Sequence, residues 1–230
     1  MGSGEQITLD LSGNGLMNIT LPTSELSNIK DIYGKTLESL VTNNGSLIAD
    51  GGYVQLSAKT AENLMLGAVN LGSSGLTSAA SIDQRTGNIT IGGDENNFVK
   101  IKGDLDISGT NPSTPSGSLN ITGTNVYYGG ETSASGSYGG KILAKAKEVI
   151  VLDGSLVAKG LNGNGGDLMV ISEDLLLSTA KNSVDMSGSV NGGSIKFHAD
   201  SHNLAAGNFE ANGDSGQGGR IDFAGQNVRL

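Results

Sequence analysis

Residues 140–146 read GKILAKA, residues 166–172 read GDLMVIS, residues 193–199 read GSIKFHA and residues 219–225 read GRIDFAG. The opening glycines are spaced by 26, 27 and 26 residues, and apolar side chains stand two and four residues after each of them. Apolar residues at every second position are typical of a β-strand that buries one face. These segments therefore predict one strand that returns once in each repeat of the chain.

Two further strands are predicted in each repeat. The strand that opens with glycine also begins at Gly52, Gly87 and Gly117, with less regular spacing. A second strand is predicted to face inward at nine and eleven residues after the glycine, at Val126/Tyr128, Val149/Val151, Leu175/Leu177 and Val228/Leu230. A third strand carries Leu156/Ala158, Val184/Met186 and Phe209/Ala211. Three short strands per repeat, with few helical patterns, favour a solenoid of β-strands over one built from helical repeats.

The sequence thus predicts an all-β fold, a right-handed three-sheet parallel β-helix, with the hand following from the chirality of parallel crossovers. Residues 1–4 are interpreted as a vector-derived leader, and residues 5–230 as one β-helix domain, a fragment of a longer rod that is open at its C-terminal end. When predicted strands at residues 7–11 and 16–21 are added to these repeats, the chain is expected to form about eight or nine coils. Loops are expected at residues 73–85, 109–116 and 129–139, and short helices at residues 24–32 and 60–65.

Composition excludes several classes of protein. There is no cysteine, so neither disulfides nor cysteine-ligated metal are expected. The net charge of -9 disfavours nucleic acid and anionic membranes as partners. No apolar run approaches the roughly 20 residues that span a bilayer, so membrane insertion is not expected.

Several segments resemble the filamentous haemagglutinin-like exoproteins of bacterial two-partner secretion systems. The resemblance lies in LSGNGL at residues 11–16, NGSLIADGGYVQLSA at residues 44–58, Ala61 and VN at residues 69–70. It continues in the coils opened by Gly140 and Gly166 and in VDMSG at residues 184–188. The family's N-terminal secretion signature is not visible, so no transporter-recognition residue can be assigned.

The resemblance implies a β-helix that is secreted by a partner transporter in the outer membrane and displayed at the bacterial surface. The implied function is that of an adhesin or stalk, which binds a receptor on a host cell or a neighbouring cell. The stalk of a contact-dependent toxin or of a haem-acquisition protein remains an alternative within the family.

A carbohydrate-active enzyme of the polysaccharide-lyase kind is the alternative outside the family, because such enzymes also use parallel β-helices. It would need carboxylates gathered on neighbouring outward positions, with a Lys or Arg beside them. The outward positions three residues after each glycine contain no such pair: they read Gln55, Thr90, Asn120, Leu143, Met169, Lys196 and Asp222. No catalytic residue is therefore predicted, and the chain is not expected to be an enzyme.

No cofactor or metal site is predicted either. Glu148, Glu173 and Asp174 fall near one another at a turn, which favours a solvated turn over a weak cation site. His198 and His202 flank a turn between strands, where their spacing does not align them as ligands. His202 stands nine residues after Gly193, an offset that is predicted to face inward. A buried histidine or a local register shift is therefore expected. Residues 163–167, GNGGD, resemble a calcium-binding nonapeptide but stand alone rather than in tandem.

One candidate site remains, a possible contact surface. Apolar side chains are predicted on outward positions of two sheets, at Leu143, Met169 and Ile171 on the first and at Tyr127, Ile150 and Leu176 on the second. Exposed apolar ladders on a secreted rod would favour aggregation unless something covers them. The cover is either one of the predicted loops or the N-terminal segment, or it is a neighbouring rod or receptor.

Overall fold

A computed structural model describes residues 6–9, 17–20, 41–43, 46–58, 69–71, 76–82, 86–93 and 98–230. Every regular element among these residues is a β-strand. In chain order the strands are β1 (Gln6–Leu9), β2 (Met17–Thr20), β3 (Val41–Asn43), β4 (Ser46–Ile48), β5 (Tyr53–Ala58), β6 (Val69–Leu71), β7 (Leu76–Ser78), β8 (Asn88–Gly93), β9 (Phe98–Ile101), β10 (Asp104–Asp106), β11 (Ser118–Tyr128), β12 (Glu131–Ser133), β13 (Lys141–Leu152), β14 (Ser155–Val157), β15 (Asp167–Ser172), β16 (Leu175–Ser178), β17 (Ser183–Asp185), β18 (Ser194–Ala199), β19 (His202–Ala205), β20 (Asn208–Glu210), β21 (Arg220–Ala224) and β22 (Asn227–Arg229).

From β3 onward the strands form a parallel solenoid, in which each strand pairs with the equivalent strand one coil away. The first sheet contains β5, β8, the first halves of β11 and β13, β15, β18 and β21. The second contains β3, β6, β9, the second halves of β11 and β13, β16, β19 and β22. The third contains β4, β7, β10, β12, β14, β17 and β20. The predicted three-sheet parallel β-solenoid is confirmed.

The core is built from alternate residues of each strand, as the repeat predicts. In β15, Leu168, Val170 and Ser172 are buried, whereas Asp167 and Met169 face outward. Equivalent side chains of successive coils lie about 4.8 Å apart and stack directly on one another. Burying one aliphatic side chain stabilises the fold by about 1.5–3 kcal/mol. These ladders therefore hold each coil on the next.

The N-terminal strands do not add coils to the solenoid. β1 and β2 pair antiparallel with each other, with Gln6 opposite Thr20 and Leu9 opposite Met17. A parallel crossover needs a dozen or more residues, whereas only residues 10–16 connect these two strands. The third sheet contains seven strands, so about six turns separate its first strand from its last, fewer than the predicted eight or nine coils. The predicted helices at residues 24–32 and 60–65 lie outside the described residues.

Two of the three predicted loops contain strands of the third sheet. Residues 129–139 include β12 and residues 73–85 include β7, so these two predictions are wrong. The inward positions of these strands hold Thr132 and Thr77, which are as buried as the aliphatic residues of later coils. A three-residue strand that carries threonine has no recognisable apolar alternation. The predicted loop at residues 109–116 is confirmed, since residues 110–113 form an exposed bend.

In the second-sheet strands from β13 to β19, the residues that face inward are those predicted to face outward. β11 and β13 pair along both sheets, but the bend between the first-sheet half and the second-sheet half differs in length. The bend of β11 contains one residue between the paired positions, Thr124, and that of β13 contains two, Lys147 and Glu148. The next two coils also have two bend residues, at 173–174 and 200–201. Because side chains alternate along a strand, one extra residue exchanges the inward and outward sets. The predictions for Ile150 and Leu176 are therefore wrong: both are buried.

Candidate contact surface

The first-sheet contact surface consists of Leu143, Met169 and Ile171. Leu143 on β13 pairs with Met169 on β15, and the two residues are 37% and 40% exposed. Ile171, two positions further along β15, is half-buried. The outward orientation predicted for all three is confirmed. They occupy adjacent positions on two neighbouring strands and form one continuous apolar strip.

Three lysines and one aspartate border this surface. Lys141 and Lys145 lie on either side of Leu143 along β13, and Lys196 pairs with Met169 from β18. All three lysines are exposed. Asp167, exposed two residues before Met169 on β15, lies opposite Lys141, so the border carries three cations and one carboxylate on a chain with a net charge of -9. This border is complementary to a partner whose apolar side chains are flanked by carboxylates.

The second-sheet surface differs from the predicted one. Ile150 and Leu176 are 0% exposed and belong to the core. Tyr127 faces outward and is half-buried, but its ladder continues through Val151 and Leu177. The runs at residues 149–152 and 175–177 are apolar at every position. Such a run does not reveal which alternate set faces inward, so the sequence alone did not identify Val151 and Leu177.

Tyr127 is tied to the following corner by a carboxylate. Its hydroxyl donates to Asp153 Oδ2 at 3.2 Å, and the hydroxyl of Thr179 donates to the other carboxylate oxygen. Lys181 Nζ lies 3.9 Å from Asp153. The Thr179 hydroxyl, together with the Lys181 charge, holds the pKa of Asp153 below its ordinary value, while burial and the Asp153 carboxylate raise the pKa of Tyr127. Three successive coils are thereby linked on their outer side.

The bend between the two surfaces is charged. Glu148, Glu173 and Asp174 are exposed there, and Asn125 Nδ2 donates to Glu148 Oε2 at 3.2 Å. Asp174 N also donates to the backbone oxygen of Glu148 at 3.2 Å. The described residues contain no group of three or more His, Cys, Asp or Glu side chains that could hold a metal ion. The three carboxylates at this bend are open to solvent.

Both histidines face solvent. His198 Nε2 lies 3.0 Å from Asp200 Oδ1, and His202 is exposed. The inward position predicted for His202 is occupied by Asn203, because the extra bend residue shifts the register by one. Asn203 Nδ2 donates to the carbonyl oxygens of Phe197 at 2.9 Å and Ala224 at 3.1 Å. This buried amide therefore bridges two coils from inside the rod.

Compared with known proteins, the chain matches no family model, no curated protein and no solved structure. No helix long and apolar enough to cross a membrane occurs in the part of the chain that the structure describes. The resemblance to haemagglutinin-like exoproteins remains a prediction from the sequence pattern.

Proposed function

We propose that this chain is part of the rod of a large secreted bacterial surface protein and acts by binding, as an adhesin or as the stalk that presents one. The observation that carries the proposal is the first-sheet contact surface, an apolar strip bordered by Lys141, Lys145 and Lys196. Its strands β13, β15 and β18 are each paired on both sides. A surface on such strands is held in shape before its partner arrives, which lowers the entropic cost of binding.

The proposed partner is an acidic protein on the surface of a host or neighbouring cell. Leu143 and Met169 offer exposed apolar area at the centre, and desolvated apolar residues at the centre of an interface supply most of its affinity. The surrounding lysines remain accessible and attract carboxylates, which increases the rate of association and favours acidic partners. The role is binding rather than catalysis.

Cell binding by a double variant tests this surface. Purified protein coupled to fluorescent beads is incubated with bacterial and human cells, and bound beads are counted. Replacing Leu143 and Met169 by Thr, a residue that suits an exposed strand, is expected to reduce binding at least about tenfold, as loss of a central apolar anchor does. The melting temperature should change little, because both side chains are outward.

Leu161→Thr is the matched control, since it removes another exposed leucine, 50% accessible, from a different place on the rod. Its binding is expected to equal that of the unchanged chain. Equal cell binding by the double variant and by the unchanged chain would rule out this surface as the adhesive one.

Secretion through a partner transporter in the outer membrane belongs to the same proposal and rests on the resemblance of the sequence. It predicts that the natural full-length protein is cleaved by protease added to intact bacteria. Deleting the gene of the partner transporter should leave the protein inside the cell, where the added protease cannot cleave it. Protection in cells that retain the transporter would contradict surface display.

A further inference from the structure

An open groove of about 460 Å³ lies at the corner where the chain passes from the third sheet into the first. It is distinct from the contact surface, which occupies the middle of the first-sheet strands. Its lining consists of side chains from Tyr138, Asn164, Asp167, Ser194 and Arg220, with glycine backbone at positions 165, 192, 193, 218 and 219. The volume falls within the range of small-ligand sites.

One wall of the groove is formed by Tyr138 and Asn164, the first two members of a ladder that continues beyond the groove to Asn191 and Gln217. Tyr138, Asn164, Asn191 and Gln217 each stand two residues before an opening glycine. Asn191 Nδ2 donates to Asn164 Oδ1 at 2.9 Å, and Gln217 N donates to Asn191 Oδ1 at 2.9 Å. The amides are thus held in place by neighbouring coils. Asn164 Nδ2 makes no hydrogen bond to any of the described residues.

The other wall carries polar groups of the first sheet. Asp167, Ser194 and Arg220 form one ladder on β15, β18 and β21. Arg220 Nε lies 2.6 Å from Asp222, so its charge is already paired. The groove therefore presents a carboxyl group, a hydroxyl and an amide without an excess of positive charge. Phosphate, sulfate and other anions are poorly matched to this set.

The floor is backbone, and it cannot be filled by side chains without disturbing the coil. A Cβ at Gly165 would overlap the carbonyl oxygen of Met186, and one at Gly192 would overlap that of Ala211. Glycine is required at these two positions because adjacent coils approach so closely. A Cβ at Gly218, by contrast, would meet nothing within 4 Å. This residue lines the groove and can accept a side chain.

Tyr138 supplies an aromatic surface at one end. The residue is 59% exposed, and its ring lies so close to Gly163 that a Cβ there would come within 2.5 Å of it. The ring thus rests on flat glycine backbone and is positioned without burial. An accessible aromatic ring packs against the C–H face of a sugar, while amide, hydroxyl and carboxylate groups hydrogen-bond its hydroxyls.

We infer that this groove binds a neutral oligosaccharide, with Tyr138 as the stacking residue and Asn164, Asp167 and Ser194 as hydrogen-bonding residues. The inference goes beyond the proposed function and does not depend on it, because the groove and the contact surface share no residue. A sugar site on the corner leaves Leu143 and Met169 free for a protein partner.

An array of immobilised oligosaccharides, with neutral members alongside sialylated and sulfated ones, tests the inference. The whole chain is expected to bind neutral members, and calorimetric titration with a bound sugar then gives the affinity. Tyr138→Ala removes the aromatic surface, and Gly218→Leu places a bulky group in the groove. Each should weaken binding at least about tenfold, as loss of a central contact in a small site does.

Matched variants separate the groove from general damage to the fold. Tyr138→Phe keeps the ring and Gly218→Ala adds only a methyl group, so both should retain binding within about threefold, consistent with the loss of at most one solvent-exposed hydrogen bond. The Leu143/Met169 double variant should bind the sugars unchanged even where cell binding is lost. Binding confined to charged sugars, or no binding to any sugar, would overturn the inference. It would also be overturned if Tyr138→Ala and Gly218→Leu bound the sugars as well as the unchanged chain does.

Discussion

At the scale of single residues, buried polar side chains of the described residues hydrogen-bond with backbone carbonyls and hydroxyls of their own and of neighbouring coils. Asn203 occupies an inward position that Ile150 and Leu176 fill in the two preceding coils. Its amide donates to the carbonyl oxygens of Phe197, within β18, and of Ala224, at the end of β21. Tyr128 is likewise buried, and its hydroxyl bonds with Thr132 and donates to the backbone oxygen of Ser155 at 3.2 Å. The donors of both side chains are satisfied, which lowers the cost of burying them, whereas Asn203 Oδ1 has no hydrogen-bond partner among the described residues.

Asp153 makes the stability of the rod depend on pH. Its pKa in the folded chain lies below its ordinary value of 3.8 because of the Thr179 hydroxyl and, to a smaller extent, Lys181. A lowered folded pKa contributes stability that is present above the ordinary value and is lost as the pH falls through the folded pKa. We therefore expect the unchanged chain to lose more stability than Asp153→Asn between about pH 6 and about pH 2.5, the range that spans this titration.

Melting temperatures of the two proteins across this range measure the effect. Asp104→Asn, which neutralises an exposed aspartate on β10, controls for the change in net charge and should follow the unchanged chain. Parallel pH profiles for the unchanged chain and Asp153→Asn would show that the corner network contributes nothing.

At the scale of elements, the sequence predicts strands well where their boundaries repeat and poorly where bends vary. Each first-sheet strand begins directly after its opening glycine. Counting every second residue from Gly140 or Gly166 therefore identifies the residues that face inward. The second-sheet strands lie beyond a bend of one or two residues, and a fixed offset from the glycine assigns Ile150 to the wrong side. The sequence did not predict the groove, although Tyr138 and Asn164, which line it, each stand two residues before an opening glycine.

Substitutions on the two faces of the second sheet, compared with each other, test which residues of β13 and β16 face inward. Ile150→Thr with Leu176→Thr removes two fully buried aliphatic side chains and should lower the free energy of unfolding by more than about 3 kcal/mol, from lost burial and unpaired hydroxyls. Val151→Thr with Leu177→Thr, on the outward side of the same strands, should cost less than about 1 kcal/mol. Chemical denaturation measures both. A larger loss from the outward pair would mean that the predicted phase, not the observed one, is correct.

At the scale of the whole molecule, stability is a sum over neighbouring coils. Each coil contacts only the coil before it and the coil after it, as in other solenoids, so a coil with one neighbour is less stable than a coil with two. β21 and β22 pair on one side only within the described residues. Their inward residues Ile221 and Val228 are each 40% exposed, whereas their partners Ile195 and Asn203 are buried.

Hydrogen exchange of the whole chain should therefore show a gradient along the rod. Backbone amides of β13 and β15, paired on both sides, are expected to exchange at least about tenfold more slowly than those of β21 and β22, because local opening frees weakly held strands first. Phe209 and Phe223 pack edge-to-face on Phe197 with ring centroids 5.4 Å from it. Phe223→Ala removes the outermost of these rings, so it should speed exchange in β21 and β20 while leaving β13 unchanged. Uniform protection from β13 to β22, or an effect of Phe223→Ala that reaches β13, would mean that the rod opens as one cooperative unit rather than coil by coil.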